Sequence, residues 1–174
     1  MISEECLTIE WIKTASAQNI NGDKILVEKA IRALRLLEGL VEENVEFVFK
    51  GGTSLMLLLE STKRLSIDID IVIENKVDLK KQFANIVKIK GFTRFELQER
   101  GKSSHIDKAH YKFYYKPAYK ISQEEEYILS DVRIALEAFG TFQGQLMMVD
   151  VGKISEKFLG FMLIYICHNN LLNL

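Results

Sequence analysis

Proline is almost missing from this chain: Pro117 is the sole one in 174 residues. With no internal repeat and no low-complexity tract beside it, nothing reads as an interdomain linker, and one domain is the expectation. Cysteine is equally sparse. Cys6 and Cys167 have no motif spacing, which excludes a disulfide framework and points to a reducing compartment, the cytoplasm. The three histidines, His105, His110 and His168, are scattered without zinc-ligand spacing, so structural or surface roles are expected for them. No serine stands with a histidine in a recognisable hydrolase motif. Long apolar runs are lacking too. The stretch FLGFMLIYIC near the end covers ten residues, too short to span a bilayer as a helix and readable as a core helix or strand. The N-terminus MISEECLTIEW has no basic segment leading into an apolar core, so no signal peptide is expected.

What is present describes an ordinary globular protein. Apolar residues make up 48% and charged residues 27% of the sequence, and the chain is long enough to bury a sizeable core. The net charge of −1 conceals a strong asymmetry. Residues 76–120 hold twelve basic and four acidic side chains, interleaved with Phe92, Phe95, His105, His110, Tyr111, Phe113, Tyr114, Tyr115 and Tyr119. Cations alternating with aromatic rings can follow a phosphate backbone and stack on bases. A pair of strands with solvated lysines and one packed aromatic face has the same composition.

Periodicity supplies the elements. A short helix is expected over Glu4 to Ala17, and a long amphipathic one from Asp23, its N-cap, to Asn44. Val45 to Lys50 reads as a strand, broken by Gly51-Gly52 and followed by the apolar helix TSLMLLLES. LSIDIDIVIE alternates strictly, with Ile67, Ile69, Ile71 and Ile73 on one face and Asp68, Asp70, Val72 and Glu74 on the other. A helix ending at Gly91 follows, then the strands FTRFELQER and AHYKFYYK, the second stopped by Pro117. Tyr127 to Leu136 and QLMMVDV read as further strands, and Ile154 onward as helix. The class is α/β or α+β, a mixed sheet flanked by helices.

The chemistry is concentrated between Phe47 and Glu74. Gly51 and Gly52 sit where a strand turns into a helix, so the backbone can approach a ligand and the first helical N–H groups face outward. Thr53 and Ser54 can add hydroxyl donors. Asp68 and Asp70, two apart in a strand, project to the same side. Two neighbouring carboxylates repel each other and call for a compensating charge. A divalent cation of the Mg²⁺ kind is the natural partner, since it takes hard oxygen ligands and fills its shell with water and substrate phosphates. Two such ions can align an attacking hydroxyl with a pyrophosphate leaving group.

Strand, Gly-Gly, helix and Asp-x-Asp together resemble the nucleotidyltransferases of the polymerase-beta type, although the fifteen residues between Gly52 and Asp68 are a slightly long spacing. FKGGTSL followed by KRLSIDIDI resembles more closely the AbiEii/AbiGii abortive-infection toxin nucleotidyltransferases. Lys50, Gly51, Gly52, Thr53, Ser54, Leu55, Arg64, Ser66, Asp68 and Asp70 match that group's pattern, while Leu65 replaces its usual phenylalanine. The resemblance implies a polymerase-beta-like fold and a nucleotidyltransferase domain over residues 1–155. It also implies transfer of a nucleoside monophosphate from a nucleoside triphosphate to an acceptor such as the tRNA 3′ end, and a role as toxin beside a separate antitoxin. Lys50, Gly51, Gly52, Thr53, Ser54, Arg64 and Ser66 would bind the nucleotide. Asp68, Asp70 and a third carboxylate would hold Mg²⁺. Asp131 in YILSDVRI fits that third role best, with Asp150 and Glu137 as alternatives.

Residues 156–174 depart from the group's helical continuation and read as an atypical, truncated tail, whose partner surface a homodimer could use. The rival expectations are a catalytically inactive remnant that still binds nucleotide or a protein partner, and an interaction module with no nucleotide site.

Overall fold

The computed structural model describes residues 2–18, 23–58, 65–73, 78–98, 108–119 and 124–134. Arg64, Glu137, Asp150, His105, His168, the expected strand QLMMVDV, the expected helix from Ile154 and the tail 156–174 lie outside the described residues.

The chain begins with a 3₁₀ turn, Glu4–Leu7, and helix α1, Ile9–Gln18. Helix α2, Lys24–Glu42, starts where Asp23 caps it, the carboxylate accepting from the N–H groups of Ile25 and Leu26 at 2.9 and 3.2 Å. Strand β1 is only Val48–Lys50, shorter than the alternation suggests, because its β2 partner meets it over three residues. Val45 and Phe47 still pack on the core from outside the strand. Helix α3, Gly51–Leu58, begins at the first glycine itself. Strand β2, Ile69–Ile73, helix α4, Lys80–Ile89, and strands β3, Arg94–Gln98, β4, Lys108–Tyr115, and β5, Glu126–Ile134, complete the order.

The five strands form one mixed sheet in the order β1-β2-β5-β4-β3. β5 lies parallel to β2 and antiparallel to β4, and β1–β2 and β3–β4 are antiparallel pairs. This is the mixed sheet flanked by helices, of α+β class, that the periodicity implies.

Alternation divides the sheet into two unlike faces. One carries Phe49, Ile69, Ile71, Ile73, Phe113, Tyr115, Ile128 and Val132, all buried, and α2 and α4 cover it. Ala33, Leu34, Leu36, Leu37 and Leu40 of α2 join that core, each large side chain stabilising by about 1.5–3 kcal/mol. Phe83 of α4 meets Phe95, Tyr111 and Phe113 edge-on, with ring centroids 5.6, 4.8 and 5.1 Å away. The opposite side of α2 is buried too, where Val27 and Ile31 pack with Cys6, Ile12 and Ala15 of the N-terminal helices.

That second layer buries a stripe of charge. Glu28, Arg32, Arg35 and Glu38 of α2, with Lys90, are all less than a tenth exposed. Lys90 donates to Glu38 at 2.8 Å and to Glu42 at 2.7 Å. Arg32 donates to the Gly91 carbonyl, and Glu28 accepts from the N–H groups of Ala118 and Tyr119. The stripe therefore ties α2 to the α4–β3 turn and to the segment that follows β4. No helix among the described residues is long and apolar enough to cross a membrane.

Candidate active site

The other face of the sheet carries a row of polar side chains. Lys50 on β1 is the register partner of Asp70 on β2, Asp70 of Asp131 on β5, Asp131 of His110 on β4, and His110 of Gln98 on β3. Register partners point to the same side of a sheet with Cβ atoms about 5 Å apart. The row thus gathers on one surface residues that lie far apart in the sequence.

At the β1 end of this row stands the glycine corner. Gly51 has φ +84°, a left-handed conformation that an L side chain rarely adopts, and a Cβ placed there would lie 2.2 Å from Oδ2 of Asp70. Only a residue without a side chain lets the Asp70 carboxylate come this close to the start of α3. A Cβ on Gly52 would meet the Ser66 hydroxyl at 2.9 Å. Thr53, fully buried, donates to the Asp68 carbonyl at 2.6 Å, and its hydroxyl is 2.9 Å from that of Ser66. Ser54 donates to the Gly51 carbonyl at 2.9 Å. The hydroxyls of Thr53 and Ser54 thus hold the corner's own shape, and a helix start leaves its first backbone N–H groups without intrahelical acceptors.

Two of the three expected carboxylates are register neighbours, and the third lies just ahead of them on the chain. Asp70 and Asp131 are half-buried neighbours on parallel strands, and Asp68 is exposed at the entrance to β2. The Asp68 carboxyl is pushed above its ordinary range, first by partial burial and then by the charges of Asp70 and Asp131, with Lys29 pulling weakly the other way. On the same face Lys50 is pushed below its ordinary range, first by burial and then by repulsion from Arg133, against the attraction of Asp70 and Asp131; Lys108 adds to the repulsion. Arg133 and Lys108 are themselves register partners, two residues along the strands from the Asp131–His110 pair and on the same face. Cations and carboxylates are therefore packed into adjoining rows.

Among the described residues, no three His, Cys, Asp or Glu side chains are gathered closely enough to form a ready-made metal cage. The donor set nevertheless suits Mg²⁺, which binds through one or two carboxylates and completes its shell with water and substrate phosphates. Asp70 and Asp131 provide an adjacent pair of hard oxygen donors.

Of the residues expected from the sequence, the structure brings together Lys50, Gly51, Gly52, Thr53, Ser54, Ser66, Asp68, Asp70 and Asp131. Sequence reasoning missed His110. Its Nδ1 is 2.5 Å from Oδ1 of Asp131, and its side chain is 12% exposed. The available signal was its position in an alternating strand, but which residue it faces depends on the β4–β5 register, which the sequence does not display.

A family model described as nucleotidyl transferase AbiEii toxin, type IV TA system, matches residues 35–144. That range contains the glycine corner, all three carboxylates and His110. Among solved structures, JHP933 from Helicobacter pylori is similar at 19% identity, with a TM-score of 0.42, over 62% of this chain and 44% of that one. The chain thus spans less than half the length of that protein. No curated protein matches the sequence.

Proposed function

Because the chain belongs to the AbiEii nucleotidyl transferase toxin family of type IV toxin–antitoxin systems, we propose that it moves a nucleoside monophosphate from a nucleoside triphosphate to a hydroxyl acceptor. The acceptor oxygen bonds to the α-phosphorus, the bond to the β-phosphate bridge breaks, pyrophosphate leaves, and the hydroxyl proton is released. The observation that carries this reading is the contact of the Gly51 corner with Asp70, itself in register with Asp131. It sets a helix start, whose N–H groups suit a phosphate, beside adjacent carboxylates.

In this reading the N–H groups at the start of α3 hold the terminal phosphates, and Lys50 offsets their charge. Arg64 and Ser66 complete the nucleotide side, as the family pattern implies. Asp68, Asp70 and Asp131 would hold Mg²⁺, which when bound would neutralise the triphosphate and polarise its α-phosphate. Asp131 lies on the acceptor side, next to Lys108, Lys112 and Arg133 on the same sheet face. Those cations suit an acceptor with a phosphate backbone, and the tRNA 3′ end is the acceptor proposed. A cognate antitoxin is the proposed protein partner, and the cytoplasm the proposed compartment.

The test is incubation of the chain with tRNA, Mg²⁺ and each labelled nucleoside triphosphate in turn. Label should pass to RNA, and Asp68→Ala/Asp70→Ala should abolish the transfer while leaving the circular dichroism spectrum intact. One observation favours a second reading, a nucleotide binder without turnover: the carboxylates are not drawn into a three-ligand cluster. A nucleotide-induced rise in melting temperature without transfer to any acceptor would select it.

A further inference from the structure

We propose that His110 is the positioning residue of the acceptor-side carboxylate: its Nδ1–H donates to Oδ1 of Asp131 and leaves the other carboxylate oxygen for the divalent cation. The inference rests on the reading of Asp70 and Asp131 as metal ligands, and it goes beyond it by assigning a residue that no motif marks.

Three observations carry it. The first is the hydrogen bond itself, between side chains 2.5 Å apart on adjacent strands. A carboxylate oxygen only accepts, so the histidine nitrogen must be the donor. The second is placement. His110 flanks Asp131 on the side away from Asp70, since the register runs Asp70, Asp131, His110 across β2, β5 and β4. One flank of the carboxylate is held by a donor while the other faces the second acid. The third is the restraint on the ring. His110 is largely enclosed, and its register partner on β3 is Gln98, whose amide oxygen is buried with no hydrogen-bond donor among the described residues. The imidazole therefore stands between two polar neighbours.

The physical role follows from how metal ligands are supported. An unrestrained aspartate loses rotamer entropy when it binds a cation. A donor fixed to one oxygen removes part of that cost and orients the remaining lone pairs. An asparagine at position 110 would keep an N–H donor near the place of Nδ1. A phenylalanine would keep the ring's bulk and lose the donor.

The experiment is a titration of the purified chain with Mn²⁺ alone, followed by the electron paramagnetic resonance signal of the free ion. His110→Ala is expected to weaken Mn²⁺ binding by about 10- to 100-fold, and His110→Asn to recover most of the loss. Turnover should follow the same order, with the Mg²⁺ concentration for half-maximal rate raised in His110→Ala and the KM for nucleotide little changed. If His110→Ala fails to fold by circular dichroism, His110→Phe takes its place against His110→Asn. Wild-type Mn²⁺ affinity in the donor-less variant, with affinity lost in Asp131→Ala, would overturn the inference while the metal reading stands. Unaltered affinity in Asp131→Ala, or no Mn²⁺ binding by the wild type, would instead overturn the metal reading and the inference together.

Discussion

Thr53, at the start of α3, is hydrogen-bonded to the main-chain carbonyl of Asp68, at the entrance to β2. The glycine corner and the first carboxylate are therefore tied together. Thr53→Val keeps the shape and removes the donor, leaving the Asp68 carbonyl and the Ser66 hydroxyl without this buried partner. A loss of about 1–3 kcal/mol is expected, read as a lowered urea midpoint with an unchanged slope. The rate of nucleotide transfer should fall by more than the affinity for nucleotide, because Asp68 loses its anchor and the corner's N–H groups do not.

Gly51→Ala tests the close approach of Asp70. The new methyl would occupy the space of the carboxylate at a φ that alanine disfavours. Backbone strain of this kind costs about 1–3 kcal/mol, and the displaced Asp70 should take transfer activity with it. Gly52→Ala meets only the Ser66 hydroxyl, which can turn aside at the cost of its contact with Thr53, so the milder effect is expected there. Equal stability and activity in the two variants would contradict the structural account.

The buried charges of α2 predict a large effect far from the site. Glu28→Ala would leave the buried Arg32 charge without its carboxylate partner and the N–H groups of Ala118 and Tyr119 without their acceptor. Breaking one partner of such a pair costs about 3–5 kcal/mol. Equilibrium unfolding should register the loss, and Glu28→Gln, which still accepts hydrogen bonds, should recover part of it.

A pH dependence follows from Glu4. The Arg35 guanidinium beside it holds the Glu4 carboxyl below its ordinary value of 4.5. The folded state therefore binds this proton less readily than the unfolded chain. The pair's contribution is complete above pH 4.5 and is lost as pH falls through the depressed value. Glu4→Gln should lower the melting temperature slightly at neutral pH, since Glu4 is largely exposed and screened. The gap to wild type should close under acid conditions. A gap that widened on acidification would refute the assignment.

The legible parts of the molecule are those set by local periodicity. The two-residue alternation around Ile69, Ile71 and Ile73 placed Asp68 and Asp70 on the face opposite the core, and the helix from Asp23 and the strand around Asp131 followed from the same kind of count. What the sequence hides depends on partners remote in the chain. The Asp131–His110 pair exists only because β4 and β5 meet in one register and not in the next. The polar stripe of α2 reads as a solvent face until the N-terminal helices and the segment after β4 cover it. The start of α3 at Gly51, two residues ahead of the apolar run, required knowing how near Asp70 stands.

The position of β5 has a kinetic consequence. The β1–β2 and β3–β4 pairs can each zip up among near neighbours in sequence, but nothing in the described sheet joins them except β5, which is the last of the described strands to be made and inserts between them. A growing chain that has completed four strands has two separate ribbons, with the glycine corner and Asp70 on one and His110 on the other. Docking of a single late strand closes the sheet and delivers Asp131 in the same event. Such long-range pairing is slow, so the half-made chain is expected to be inert, and the order of synthesis itself delays the appearance of a complete site.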